Sequence, residues 1–362
     1  MDYKGRLKRL QDGLESAKLD AFLVTHLPNI YYLCGFSGSA GLLLVTHSKS
    51  VFMTDGRYDE QANAEVQGPR IVISRKAPFL TAARSAKSNF SRKSRVRLGI
   101  ESEHLPVAQK TRLQELLGSQ FRLREAPPLV EQLRIVKDKE EIQRLREAAT
   151  VGSGLLDTAL KIIRPGVKEV EVAAEMEHTA RRSGAQQMSF STIIASGPRS
   201  ALPHGRATEA QIPANGFVVC DFGVILTGYC SDMTRTCYVG HPGAEERRAY
   251  EAVREGQAAA VQAVRPGVSV AQIDRAARMS LKNNGLDRFF THSTGHGVGI
   301  EIHEAPRVAR GVTDILRPGM VITIEPGVYV PGRFGIRIED MVVVTEQGYE
   351  VLTPAGKELI SI

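Results

Sequence analysis

Ile163-Arg164-Pro165-Gly166-Val167 recurs 101 residues later as Val264-Arg265-Pro266-Gly267-Val268. In each copy a helix-like run leads into the Pro-Gly stop and a second one follows, reaching Gly184 in the first copy and Gly285 in the second. A Pro-Gly stop of this kind closes one helix and lets the chain turn into the next. Apolar strands carrying Asp221 and Asp232 come after the first helix pair. Strands carrying His296, Glu325 and Glu339 come after the second. The spacing predicts a duplicated helix-helix-strand unit, strands inside and helices outside, with a cleft where the two sheets meet. Pro-Gly pairs punctuate loops of every kind, so chance recurrence is the competing reading.

Residues 218–222 (VVCDF) form an apolar run broken by one acid, Asp221, and residues 230–238 resume after a turn with Asp232. A hairpin centred between Leu226 and Thr227 puts the two carboxylates opposite or nearly opposite, roughly 5 Å apart at Cβ. The pattern returns with Glu325 after residues 321–324 and Glu339 after residues 335–338, centred on Gly332. An ion pair with Arg235 or Arg337 would neutralise one acid. Four acids in apolar strands are too costly to bury with so few nearby cations, and divalent metal supplies the missing positive charge most simply.

Residues 291–304 (THSTGHGVGIEIHE) put His292, His296 and His303 among glycines that permit close backbone approach. His26, His47, His104, His178 and His241 stand singly and read as ordinary core or surface histidines. Four carboxylates and one imidazole make an oxygen-rich site with room for two ions that share bridging carboxylates. Such donors suit Mn²⁺, Co²⁺ or Zn²⁺ and are too poor in nitrogen and sulfur for a structural zinc site.

The segments at 195–208 (ASGPRSALPHGRAT), 221–236 (DFGVILTGYCSDMTRT), 292–304 (HSTGHGVGIEIHE), 324–329 (IEPGVY) and 335–345 (GIRIEDMVVVT) are similar, in order and spacing, to the pita-bread metallopeptidase family. The resemblance is to its prolidase and aminopeptidase P branch, related to methionine aminopeptidase and creatinase, and it covers nearly the whole chain. It implies an α/β fold in two parts. Residues 1–130 would form a creatinase-like α/β domain, and residues 137–362 a pita-bread α+β catalytic domain with internal pseudo-two-fold duplication.

Carried over residue by residue, the resemblance makes Asp221, Asp232, His296, Glu325 and Glu339 the ligands of two divalent ions, Mn or Co ahead of Zn, with Asp232 and Glu339 bridging. His204 and His303 match histidines that contact substrate and stabilise the tetrahedral intermediate. His292 stands behind them, and Arg337 supports the metal site or meets a substrate carboxylate. The implied reaction is metal-assisted hydrolysis of Xaa-Pro bonds, in dipeptides or at the amino terminus of short peptides, with Glu325 also shuttling the proton. Phe190 is a candidate for the apolar wall that a tertiary amide without an N–H would favour. The amino-terminal domain is expected to cap the mouth, with residues 26–39 as a loop near it, and a homodimer is expected. Two other readings stay open: a metal-dependent hydrolase or lyase of a non-peptide small molecule on the same scaffold, and a non-catalytic peptide-binding module.

With 362 residues, 42% hydrophobic and 24% charged, the chain is neither disordered, collagenous nor coiled-coil, and its length favours two domains. Residues 1–139 carry a net charge of +9 and the remainder −2. Arg75 to Arg97 contains eight cations and no acid; a phosphate footprint is one reading, a solvated helical face the other, and no nucleic-acid partner is expected. No run approaches the roughly 18–20 apolar residues of a membrane span. The four cysteines lack a C-x-x-C spacing, so a reduced, cytoplasmic chain without a membrane partner is expected.

Overall fold

The computed structural model describes residues 1–75 and 77–362, so Lys76 of the basic stretch lies outside the described residues. The chain divides into a unit of Met1–Arg134 and a unit of Ile135–Ile362.

The first unit runs α1 (Tyr3–Ser16), β1 (Ala21–Val24), α2 (Leu27–Cys34), β2 (Leu42–Thr46), β3 (Ser50–Asp55), α3 (Asp59–Glu65), β4 (Arg70–Ser74), α4 (Pro78–Asn89), β5 (Val96–Ile100), α5 (Val107–Leu117), β6 (Phe121–Glu125) and α6 (Leu129–Arg134). Its strands form one sheet in the order β4-β3-β2-β1-β5-β6. Alternation decides what each face covers: Leu23, Leu44, Met53 and Leu98 pack with Ala82, Ala83 and Ala86 of α4 and Leu113 and Leu117 of α5. Residues 26–39, expected as a loop, contain α2 instead. Pro28 sits in its first turn, Ile30, Leu33 and Cys34 bury one face, and Gly35 ends it at φ 84°. Part of the basic stretch is structural, because Lys93 and Arg97 hold the buried Asp20 carboxylate at 2.8 and 3.3 Å.

The second unit opens on Asp138, whose side chain accepts from the Glu141 N–H while Glu141 returns the bond, a capping box that starts α7 (Lys139–Ile162). After α8 (Glu169–Arg182) come β7 (Gln187–Met188), β8 (Ile193–Ser196), β9 (Gly216–Phe222), β10 (Val224–Leu226), β11 (Tyr229–Cys230) and β12 (Met233–Val239). The cycle then restarts with α9 (Ala244–Gln262) and α10 (Val270–Asn283), followed by β13 (Gly295–Gly297), β14 (Glu304–Val308), β15 (Val321–Ile324), β16 (Gly327–Val330), β17 (Phe334–Arg337), β18 (Asp340–Val344) and β19 (Tyr349–Val351).

The duplication extends to hydrogen bonds. Gly166, at φ 86°, donates to the Ile212 carbonyl, and the Ile212 N–H donates back to Val167; Gly267, at φ 82°, donates to Leu316, which returns a bond to Val268. Both Pro-Gly turns are tied in the same way to the segment entering the next strands, which chance recurrence does not explain. Helices α7 and α8 pack on the β12-β9-β8 sheet through Leu155, Val172, Met176, Ile194 and Val218. Helices α9 and α10 pack on the β14-β13-β15-β18-β19 sheet through Val253, Ile273, Ala277, Ile322 and Val342. Among the described residues, no helix is long and apolar enough to cross a membrane.

Candidate metal centre

The two acidic hairpins use different registers. In the second, Val321↔Val343 and Gly327↔Arg337 belong to one continuous antiparallel register, with its turn at Gly332 as expected. Glu325 and Glu339 stand opposite each other where that ladder is interrupted. In the first, Asp221 pairs with Thr234, not Asp232, and the turn is Thr227-Gly228, both at positive φ. The hairpin is therefore centred one residue later than expected, and its carboxylates are diagonal neighbours. Like charges at diagonal positions repel less than directly opposed ones, but both still face the same space.

His296 lies mid-strand in β13 between two glycines that the packing demands. A Cβ at Gly295 would fall 1.9 Å from the Thr323 carbonyl oxygen, and one at Gly297 would fall 2.2 Å from that of Ala305. The His296 Nδ1 lies 2.9 Å from the Gly297 carbonyl oxygen, so it carries the proton and turns Nε2 toward Asp232 Oδ2 at 3.5 Å and Glu325 Oε1 at 3.6 Å. Ligand atoms of Asp232, His296 and Glu339 all lie within 4.8 Å of one another.

Asp221, Asp232, His296, Glu325 and Glu339 line one cavity of about 630 Å³ together with His204, His292, His303, Phe190 and Arg337. All the site residues expected from the sequence are thus brought to one place. His303 and His204 are exposed, and the His303 ring lies 4.5 Å from that of His296, edge to face. Arg337 is buried and fully engaged: it donates to Asp221 Oδ2, to Thr234 Oγ1 at 3.0 Å, to the Pro203 carbonyl at 3.1 Å and to the Tyr329 hydroxyl at 2.5 Å. These contacts tie Arg337 to the carboxylate cluster. The Tyr329 hydroxyl lies 3.0 Å from His292 Nε2, and His292 Nδ1 lies 2.7 Å from the Ser293 carbonyl. Burial and the neighbouring Arg337 charge lower the His292 pKa to about 4, so the ring is neutral and accepts from Tyr329. Arg235 serves Asp340 at 2.7 Å and is not an ion-pair partner of these acids.

The residues fit a cation by two tests. First, Asp221 Oδ1 is buried without a hydrogen-bond partner among the described residues, an acceptor aimed into the carboxylate cluster. Second, Asp232, Glu325 and Glu339 have raised pKa values in the absence of compensating charge. Burial raises Asp232 to about 6 against the pull of His296, and it raises Glu325 to about 7. Burial, then Asp232 and Glu325, lift Glu339 well above the usual carboxylate range. Burial opposes the charged form of His296, yet the Asp232 hydrogen bond and the Glu325 charge outweigh it and hold its pKa at about 9. One guanidinium and one imidazolium do not balance four carboxylates.

Three contributors were not singled out in the sequence. Thr234 Oγ1 donates to Glu339 Oε2 at 2.7 Å, Tyr329 links Arg337 to His292, and Arg307 stands opposite His296 on β14 and lines the cavity. Thr234 and Tyr329 lay inside the quoted motifs. Only the register shows which neighbours they touch.

Residues 143–346 match metallopeptidase family M24, and residues 6–136 match the creatinase/prolidase N-terminal domain. An uncharacterized peptidase, YqhT, of Bacillus subtilis is 39% identical over 98% of this chain and 99% of its own. The Xaa-Pro dipeptidase of Pyrococcus horikoshii is 36% identical over 98% of each chain. The solved structure of the Xaa-Pro dipeptidase from Bacillus anthracis superposes with a TM-score of 0.95 at 38% identity, covering 100% of both chains. Divalent metal use follows from that kinship and from the donor cluster. The chain belongs to metallopeptidase family M24, in its prolidase and aminopeptidase P branch with a creatinase-type amino-terminal domain.

Proposed function

We propose that this chain hydrolyses the Xaa-Pro bond of short peptides, with dipeptides as its preferred substrates, at a centre formed by Asp221, Asp232, His296, Glu325 and Glu339. The observation that carries the reading is the convergence of these five donors in one cavity, with one Asp221 oxygen that has no hydrogen-bond partner among the described residues. Two divalent ions bound there, Mn²⁺ or Co²⁺ ahead of Zn²⁺, would polarise the scissile carbonyl and lower the pKa of the attacking water. Asp232 and Glu339 would bridge them.

The chain's own groups supply the rest. Glu325, half-buried at the cavity wall, takes the proton from the attacking water and returns it to the leaving proline nitrogen. His303 donates to the developing oxyanion, and His204 steadies the substrate at the mouth. Phe190, Ile193 and Ile302 give an apolar wall suited to a proline ring whose nitrogen has no proton to offer. Arg206 and Arg307 line the same cavity, are exposed, and have no carboxylate partner among the described residues. Their charge suits the free carboxylate of a dipeptide, which favours dipeptides over longer chains. A cytoplasmic homodimer completes the reading implied by the resemblance.

Release of proline from a Xaa-Pro dipeptide and of Xaa from a Xaa-Pro-Yaa tripeptide, measured side by side in metal-stripped protein resupplied with Mn²⁺, Co²⁺ or Zn²⁺, tests it. Dipeptide cleavage well above tripeptide cleavage is expected. Dominant tripeptide cleavage overturns the preference for dipeptides, and cleavage of neither substrate with ions bound overturns the peptidase reading.

A further inference from the structure

The amino-terminal unit holds a cavity of its own, of about 930 Å³, at the start of β4. Four cations line it from four separate elements: Lys4 of α1, Lys49 of the turn between β2 and β3, Arg70 of β4 and Arg84 of α4. All four are exposed, and none has a carboxylate partner among the described residues. Among the described residues, no acid lines the cavity.

The local structure explains the convergence. Lys4, Leu7 and Gln11 recur at helical spacing and so share one face of α1, as Thr81, Arg84, Ser85 and Ser88 share one face of α4. Arg70 stands opposite Val51 in the parallel β3–β4 register, at the sheet edge. The Ser85 hydroxyl, which lines the cavity, is buried without a hydrogen-bond partner among the described residues. A buried hydroxyl without a partner is uncommon unless something absent from the protein satisfies it. Two other cations of the basic stretch that contains Arg84, namely Lys93 and Arg97, are answered by Asp20. Among the described residues, the four cavity cations have no such acid.

We propose that this cavity binds a small organic or inorganic phosphate carrying several negative charges, a di- or triphosphate. Guanidinium and ammonium groups converging with hydroxyls are the donors that phosphate oxygens take, and the concave shape limits the ligand to small-molecule size. The apolar lining is Leu7, Val51 and Val72, and among the described residues no aromatic ring lines the cavity for a base to stack on. That lining favours a phosphate ligand over a single-stranded nucleic acid, which relies on stacking platforms. The site is independent of the metal centre and of the peptidase reading.

The test is calorimetric titration of the metal-loaded full chain with tripolyphosphate and with ATP at physiological salt. The cavity variants are Arg70→Gln/Arg84→Gln and Lys4→Gln/Lys49→Gln; the control is Arg92→Gln/Arg95→Gln, two exposed cations of the same basic stretch that do not line the cavity. The expected result is saturable binding at one site per chain, weakened at least tenfold in both cavity variants and unchanged in the control, with peptide hydrolysis retained in all three. Phosphate bound at the metal centre persists in the cavity variants and is so distinguished. Three results overturn the proposal: no saturable site beyond one that persists in the cavity variants, equal weakening in the control, or binding of an oligonucleotide but of neither phosphate.

Discussion

Arg337 and Asp221 form a buried ion pair that joins the two halves of the catalytic unit, from the end of β17 to the end of β9 across 116 residues of sequence. The same guanidinium donates to Thr234 Oγ1, which passes a hydrogen bond to Glu339. One cation thus orients a carboxylate from each acidic hairpin, while Asp221 Oδ1 has no hydrogen-bond partner among the described residues.

Arg337→Lys keeps a charge but loses the planar fork that reaches Asp221, Thr234, Tyr329 and Pro203 at once. Metal affinity or kcat is expected to fall by about 10–100-fold, the usual effect of removing a group that orients a metal ligand. Metal titration of the variant by calorimetry checks this. Unaltered affinity and unaltered kcat together would show that Arg337 serves only the fold.

Asp232→Asn removes the charge of a residue whose carboxylate lies 3.5 Å from His296 Nε2 and within reach of Glu339. Hydrolysis should be lost and the metal content per chain reduced, as read by elemental analysis alongside a peptide assay. Full activity with unchanged metal content contradicts the bridging assignment.

His303 is exposed at the cavity and makes edge-to-face contact with the His296 ring. If it donates to the oxyanion, His303→Ala should lower kcat by about 10²–10³-fold while metal occupancy stays near that of the parent protein. Retained kcat sinks that role. Loss of metal in parallel with kcat would instead make His303 a support for His296.

The motifs carried much of the site because its donors sit in or directly beside strands: Asp221 in β9, His296 in β13, Asp232 just before β12, Glu325 just after β15 and Glu339 just before β18. Gly332 centres the second hairpin, so Glu325 and Glu339 meet as the spacing predicts. The first hairpin turns one residue later than the spacing predicts because both Thr227 and Gly228 take positive φ, a two-residue turn that glycine alone does not reveal. Helix α2 was missed because eight residues with a proline and two tyrosines give a short, weak helical pattern, and burial against the rest of the unit settles it. The web around Arg337 was illegible for a related reason: side-chain partners separated by about a hundred residues depend on register, which composition does not encode.

Asp20 offers a test of the amino-terminal unit. Burial alone would raise its pKa, but the Arg97 N–H and the Lys93 and Arg97 side chains outweigh burial and lower it to about 2. A lowered carboxylate pKa stabilises the folded state above the unfolded value near 3.8, and that stability is lost as pH falls from about 4 toward 2. Asp20→Asn should therefore cost about 1 kcal/mol at pH 7, since solvent screens the half-exposed Lys93 and Arg97, and flatten the acid limb of the stability curve. Urea unfolding of both proteins at pH 7 and pH 3 measures it, and equal stability of the two at pH 7 would contradict the account.

If divalent ions hold the four acids together and the reaction requires them, activity follows metal loading. Titrating metal-stripped protein with Mn²⁺ or Co²⁺ while following Xaa-Pro hydrolysis tests this most directly. Negligible activity at the start, a rise that saturates at two ions per chain, and no rise in Asp232→Asn are expected. Full hydrolysis by the stripped protein, or two bound ions with no hydrolysis of any Xaa-Pro peptide, would contradict it.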